Sequence, residues 1–328
     1  MKYCWYRSLL SQEEQQVYDE LYCGWMNGSE RMTCKCSLQS ARSMTHIISA
    51  VLLDNPEIFY VSTENVRLMH LGNKLIICTK YSYADNECLK ITKQIQKISG
   101  SIKSKYNNFS VIDRFRAIHN SIIHNIKYQQ DDIKNEDHTI VGGLINHFAV
   151  CDGFSSVLKL FCDILDIPCV IVNGKATSEL QIQNDNHAWN MVNINGEWIH
   201  CDITWDSLSS LDKTYSFAYS FVNDNTMSAN HIWDKDRYPR SLFSSDTFFQ
   251  KIVKSITIND LLYEMLQIIN YGKVDYNIRF TQKLTPKEVG LLINKNINSL
   301  PPNKGKYLWK HIFVEETNTL IFSSPERI

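Results

Sequence analysis

No run of apolar residues in this chain is long enough to cross a bilayer as a helix, so a membrane-spanning role is not expected. Neither charge is in surplus. The 34 Lys and Arg residues against 35 Asp and Glu leave a formal net charge of -1, which gives no bulk attraction to nucleic acid or to an anionic membrane. The opening residues MKYCWYRSLLSQEEQQ lack the apolar stretch and small-residue cleavage site of a secretory signal, so the expected compartment is the cytoplasm. No acidic loop has the ligand spacing of a calcium site, and neither cofactor nor metal is expected. Beyond Arg240 there is no motif or repeat.

What is present is enough for a sizeable core: 328 residues, 44% of them hydrophobic, imply two or three units. Ten cysteines lie between positions 4 and 201, several inside apolar runs (Cys78, Cys162, Cys169). In a chain without a secretory signal they read as small buried hydrophobes rather than a disulfide framework. Cys34 and Cys36, with Cys23 nearby, are spaced too closely for a structural zinc site, and no second ligand pair follows.

The informative stretch runs from His138 to Asp206. Apolar residues at Phe154, Val157, Leu158, Phe161, Ile164 and Leu165 follow the 3.6-residue period of a helix, which Asp166 and Pro168 stop. Cys151 therefore falls at or just before a helix N-terminus, where unpaired N–H groups and the macrodipole favour thiolate over thiol. Further on, Asn195-Gly196 between two strand-like runs is a hairpin signal, because both central turn residues need positive φ. A two-residue turn sets Ile194 against Glu197, His187 against Thr204 and Trp189 against Asp202. His187 and Asp202 then become diagonal neighbours on one face, with Cβ atoms roughly 5.5–8 Å apart. Trp189, Met191, Trp198 and His200 share that face, while Ala188, Val192, Ile194, Ile199, Cys201 and Ile203 form a core face. Cysteine at a helix start, histidine 36 residues later and aspartate 15 residues after that suit a nucleophile, its base and the base's orienter.

CDGFSSVLKLFCDILDIPCVIVNG followed by HAWNMVNINGEWIHCDITWD resembles the core motif of the transglutaminase-like superfamily, whose papain-like triad matches Cys151, His187 and Asp202. The likeness covers roughly residues 111–206, and DNPEIFYV at 54–61 is similar to the segment that precedes this core in bacterial members. Phe154 stands where tyrosine is frequent, and Ile199 replaces a common tyrosine. The resemblance implies an α+β fold, with a cysteine-bearing helix packed on an antiparallel sheet that carries the histidine and aspartate. It also implies that His231, Trp233 and Tyr238 brace this core. Relatives include transamidases, peptidases, deamidases and inactive copies.

The expected organisation is an N-terminal region of helices and strands (1–110), a catalytic core (111–240) and a small α+β appendage (241–328). In the first part, helices are expected after Ser11 and over Ser37–Leu53, and IFYVS, VRLMH and KLIICTKYSY read as a meander with Gly72-Asn73 as a turn. Asp85–Ser104 reads as a helix with a solvated lysine face, and Val111–Tyr128 as an amphipathic helix whose His119 and His124 are surface or packing groups. The appendage is expected to hold a helix at Ile258–Tyr271, a strand near Val274–Phe280, a helix after Pro286 and a hairpin across Tyr307–Phe322.

Plainer readings exist for each group. Cys151 is one of many cysteines, His187 suits a core histidine, Asp202 suits a helix cap, and Asn190 or Asp185 are other orienters. A metal site from His187, His200 and Asp202 lacks His-x-x-x-His spacing and leaves Cys151 unexplained. The triad reading has Cys151 attack an amide or thioester carbonyl, with a backbone N–H and Asn146 or His147 as oxyanion donors. The expected partners are a peptide, protein or small-molecule acyl donor and an amine acceptor. Trp189 and Trp198 are expected to exclude water and favour the amine. A cysteine peptidase or amidase and an inactive binding module are the alternatives.

Overall fold

The computed structural model, in which all residues are described except 1, 36–42, 72–73, 179–180, 212–214, 244–251, 272–275, 324 and 328, begins with helices α1 (Trp5–Ser8) and α2 (Gln12–Met26). Ser11 starts α2 by a reciprocal cap: its hydroxyl accepts the Glu14 N–H while the Glu14 carboxylate accepts the Ser11 N–H at 3.0 Å. Strand β1 (Arg31–Lys35), helix α3 (Met44–Asp54) and strands β2 (Val66–Leu71) and β3 (Lys74–Thr79) follow, with the strands in antiparallel order β1-β3-β2.

The expected meander is corrected here. IFYVS forms successive turns, in which Ile58 N–H bonds to Asn55 and Val61 N–H to Ile58, and the third strand is β1 instead. Pro56 has no N–H to give a ladder, and Ile58, Phe59 and Val61 are buried from within the turns. The Gly72-Asn73 turn, Cys36 and the first part of the helix expected over Ser37–Leu53 lie outside the described residues. Helix α4 (Asp85–Tyr106) buries Ile91, Ile95, Ile102 and Tyr106 on one stripe and leaves its lysines outward. Helix α5 (Val111–Asn125) ends three residues earlier than expected, because Lys127–Tyr128 forms strand β4 beside β5 (Phe148–Ala149). Between β4 and β5 lie a short 3-10 turn, Asn135–His138, and a π-helical turn, Gly142–Asn146. Helix α6 (Cys151–Ile164) follows.

The chain divides into two compact units, Met1–Ile118 with Asn125–Ile171 and His119–His124 with Val172–Ile328. That division runs through the expected 111–240 core and joins its second half to the expected appendage. In the first unit a buried ion pair sits on α6: Lys159 Nζ lies 2.6 Å from Asp163 and 3.0 Å from the Tyr3 carbonyl, which it donates to. The N-terminal segment is fixed at its other end by Asp54, whose carboxylate accepts the N–H groups of Tyr6 and Arg7 and so satisfies the open start of α1.

In the second unit, β6 (Cys169–Ser178, from Val172 on), β7 (Gln181–Ile194), β8 (Glu197–Cys201), β9 (Ser220–Val222) and β10 (His231–Ile232) make a sheet of order β10-β6-β7-β8-β9. Helix α7 (Ile203–Leu208) follows β8, and α8 (Asp224–Met227) follows β9. Gly174 has no room for a side chain, since a Cβ there would lie 2.4 Å from the Ile232 carbonyl and 2.7 Å from the Trp189 ring. A second sheet contains β11 (Val253–Ile256), β12 (Tyr276–Phe280), β14 (His311–Val314) and β15 (Thr319–Phe322) in the order β11-β12-β15-β14. Strand β13 (Tyr307–Leu308) pairs with β16 (Glu326–Arg327). Helices α9 (Leu261–Tyr271) and α10 (Pro286–Asn298) bury Leu261, Met265, Ile268, Val289 and Ile293 against Ile278, Phe280, Leu320 and Phe322.

This C-terminal layer is tied into the rest of its unit through Arg279. Its buried guanidinium donates to the carbonyls of Phe221 at 2.8 Å, Ala218 at 3.1 Å, Ser220 at 3.3 Å and Phe217 at 3.4 Å. Burial pushes its pKa down to about 10, still well above neutrality, so it remains a cation. The fold is α+β, as the sequence implies.

Candidate active site

Cys151 is the first residue of α6, and the extended Val150 precedes it as N-cap. The N–H groups of the first turn have no intrahelical acceptor, so the sulfur lies where negative charge is favoured. Cys151 is half-buried and free, whereas Cys162, three turns along, is fully buried. The start of α6 is held by close backbone packing at Gly153, where a Cβ would lie 2.3 Å from the Asp137 carbonyl oxygen and 2.9 Å from Ala149 Cβ. The neighbouring Asp152 is engaged by His138, whose Nδ1 is 2.8 Å from the carboxylate. That hydrogen bond raises the His138 pKa, against the smaller effect of burial.

Asn146 and His147 lie in the same unit, just before β5. Asn146 is exposed and donates its amide to Glu136 at 2.8 Å. His147 is exposed, has a left-handed backbone with φ of 63°, and gives its carbonyl to the Lys127 N–H at 3.0 Å. The sequence left the choice between them open, and neither shows a feature that makes it the oxyanion donor.

In the second unit, the Asn195-Gly196 turn has positive φ at both positions, 54° and 95°, and the Asn193 side chain accepts the Gly196 N–H at 2.9 Å. The register is the expected one: Ile194 pairs with Glu197, Val192 with Ile199, Met191 with His200 and Asn190 with Cys201. Pairing stops there. Asp202 is not on the strand but is the N-cap of α7, so Thr204 and Ile203 are helical residues and not strand partners. A register shift at His200/Cys201 in the β8–β9 ladder, opposite the left-handed Phe221 (φ 56°), accompanies this exit.

One carboxylate both caps α7 and meets two imidazoles. Asp202 Oδ1 accepts the N–H groups of Thr204 and Trp205, both at 3.1 Å. Its Oδ2 lies 2.6 Å from His187 Nε2 and 3.1 Å from His231 Nε2. Full burial on its own would push this carboxyl up; attraction and hydrogen bonding from His187, with a smaller effect of His231, outweigh it and hold the pKa well below the usual carboxylate range. His187 therefore meets Asp202 through Nε2.

Aromatic rings fix the imidazole. Trp189 stacks on His187 with centroids 6.0 Å apart, and Trp205 lies 5.6 Å away on a tilted plane. Trp189 is fully buried, and its indole N–H donates to His200 Nδ1 at 3.0 Å. It supports the histidine from within the core and presents no face to solvent. Trp198 is half-buried next to the turn, four residues before Asp202, a strand distance of roughly 13 Å.

Several sequence alternatives are resolved by these contacts. His200 Nε2 lies 3.0 Å from Asp224, so it is turned away from the metal grouping considered with His187. Asn190 is fully buried and pairs with Cys201, whereas the Asp185 side chain lies outside the described residues. His119 is a second buried histidine on an aspartate, with Nε2 3.1 Å from Asp206 and its ring 4.0 Å from Phe217. Neither Cys23 nor Cys34 joins a group of three metal-binding side chains among the described residues.

The contact that sequence reasoning missed is His231 on Asp202. It was expected only to brace the core, and nothing in the spacing of 29 residues points to a shared oxygen. The nearest signal is His231-Ile232, which pairs with Lys175–Ala176 of β6 and so brings this segment to the sheet that holds His187.

With this geometry in view, the similarities to other proteins can be placed. Residues 95–203, which include Cys151, His187 and Asp202, match the model of the transglutaminase-like superfamily. The kyphoscoliosis peptidase of Mus musculus is 26% identical over 154 residues, and that of Homo sapiens 25% over 152. Each alignment covers 40% of this chain and 23% of the relative, so the chain matches about a quarter of the length of these curated proteins. A crystal structure described as a TGase is 15% identical, with a TM-score of 0.31, over 53% of this chain and 50% of that one.

Proposed function

Because residues 95–203 form a transglutaminase-like domain, we propose that the chain is a cysteine enzyme that cleaves an amide or peptide bond through a thioester on Cys151. The observation that carries this reading is the 2.6 Å contact between His187 and the buried, charged Asp202, which holds the ring by Nε2 and makes Nδ1 the base in this reading. In the proposed cycle Cys151 loses its proton to His187 and attacks the carbonyl. Asp202 holds the productive tautomer and stabilises the imidazolium. Backbone N–H groups at the start of α6 take the oxyanion, with Asn146 or His147 as the second donor. His187 then protonates the leaving amine, and the acyl group stays on sulfur until an acceptor removes it.

Water is the acceptor we favour. The case for a primary amine relied on Trp189 and Trp198 excluding water, and Trp189 is sealed beneath the imidazole. The peptidase names of the two curated relatives point the same way. Transfer to a primary amine, forming a new amide, is the second reading and shares every step up to the thioester.

The test offers candidate peptide and amide donors with and without a primary amine, and reads the protein by intact mass and the products by chromatography. An acyl adduct on Cys151 and release of free acid support hydrolysis, whereas an amide product in place of acid supports transfer. Turnover that persists in Cys151→Ala refutes the nucleophile.

A further inference from the structure

The polarity of one chain of hydrogen bonds determines what His231 presents to Asp202. The Tyr219 hydroxyl lies beside the Asn230 side chain. Its oxygen accepts, and the donor is the Asn230 amide nitrogen at 3.3 Å. The same amide must turn its carbonyl oxygen to His231, 2.7 Å from Nδ1. Nδ1 is therefore the protonated nitrogen of His231.

In that tautomer Nε2 is a lone-pair acceptor, and it faces another acceptor, Asp202 Oδ2, at 3.1 Å. Two acceptors this close repel unless a cation lies between them, either a second proton or a metal ion. His187 Nε2 meets the same oxygen, and the three donor atoms lie within 4.8 Å of one another. Two imidazole nitrogens and one carboxylate oxygen form a ligand set that suits divalent zinc, cobalt or iron. Zinc bonds of about 2.1 Å put tetrahedral donor atoms roughly 3.4 Å apart. The two N···O distances, 2.6 and 3.1 Å, need to open by less than about 1 Å to reach that spacing.

We propose that His187, Asp202 and His231 form a binding site for a divalent transition-metal ion that reversibly switches off the base. Coordination occupies the Nε2 lone pair of His187, so the proton now on Nε2 moves through solvent to Nδ1. No bond to carbon changes, no electron is transferred, and the imidazole stays neutral. Under the function proposed above, Nδ1 is the nitrogen that deprotonates Cys151, so the loaded enzyme has no base. Metal binding itself does not depend on that function.

The test uses the full chain titrated with Co²⁺ and followed by absorption. The expected result is one equivalent with weak visible d–d bands and no sulfur-to-cobalt charge transfer in the near ultraviolet, unchanged in Cys151→Ala. In His231→Ala the affinity falls at least tenfold. His231→Gln, checked for folding by circular dichroism, provides the same comparison if the alanine variant is unstable. Nitrogen-15 spectra with Zn²⁺ should show the His187 proton moving from Nε2 to Nδ1. Sulfur charge transfer, equal affinity in the folded His231 variants, or a His231 ring protonated at both nitrogens and insensitive to Zn²⁺ overturns the proposal. Absence of acyl chemistry in the metal-free protein, with metal binding intact, would instead count against the function proposed above.

Discussion

Replacing Asp202 with asparagine or with alanine separates the two duties of its carboxylate. Asparagine keeps an oxygen for the Thr204 and Trp205 N–H groups, so the cap on α7 survives. It directs an amide N–H toward His187, which must then turn a lone pair to Nε2 and place its proton on Nδ1. In a related arrangement, where an orienting aspartate becomes an amide, the wrong tautomer costs about 10⁴-fold in turnover, and a loss of that order is expected here. Alanine removes the cap as well, at about 1 kcal/mol. It also leaves the His187 Nε2–H without its acceptor, at about 1–3 kcal/mol. Asp202→Ala should therefore be less stable than Asp202→Asn by about 2 kcal/mol or more.

The pH dependence follows from the depressed pKa of Asp202. A carboxyl whose folded pKa lies below its unfolded value, about 3.9, contributes stability above that value and loses it as pH falls through the folded one. Wild type should thus lose stability toward acid more steeply than Asp202→Asn does. Urea unfolding followed by tryptophan fluorescence at pH 7 and pH 2, with iodoacetamide labelling of Cys151 at pH 7 read by peptide mass, gives both quantities. Wild-type labelling rates in Asp202→Asn, or equal unfolding midpoints for the two variants, would refute the reasoning.

Other substitutions test the supports of the site. Gly153→Ala forces a Cβ to within 2.3 Å of the Asp137 carbonyl oxygen, and a loss of about 2 kcal/mol in chemical denaturation is expected. Gly196→Ala puts a side chain on a residue with φ of 95°; about 1–2 kcal/mol of destabilisation should appear, with broadened amide resonances in β7 and β8. Lys159→Met leaves the Asp163 carboxylate without its partner in the interior, costing about 3–5 kcal/mol. The double variant Lys159→Met with Asp163→Leu should recover most of that loss, and a double variant no more stable than the single one would contradict the account.

The parts legible in the sequence were those set by short-range rules. The reciprocal Ser11–Glu14 cap, the start of α6 at Cys151 and the register dictated by Asn195-Gly196 each depend on neighbours a few residues apart. The strand was carried three residues too far, to Thr204 instead of Cys201, since alternation does not announce where pairing ends. The sequence did carry a signal for that end: Asp202 precedes Ile-Thr-Trp-Asp, an aspartate before helical residues, which is the helix-cap reading weighed for it. For Trp189 alternation gave the face it shares with His187 but not its depth, which is full burial. His231 and Arg279 depend on contacts across 29 and about 60 residues, which no local pattern encodes.

The guanidinium of Arg279 has a consequence for anyone shortening this protein. A fragment cut to the span that matches the superfamily, or even one carried on to Arg240, omits the cation that gathers four carbonyl oxygens between Phe217 and Phe221. Those oxygens flank the segment that carries Tyr219 and Ser220 toward Asp206. Without their donor they would have to be rehydrated, and the bend would relax. The minimal expressible piece therefore has to keep strands β12 and β15, far downstream of any residue assigned to the chemistry.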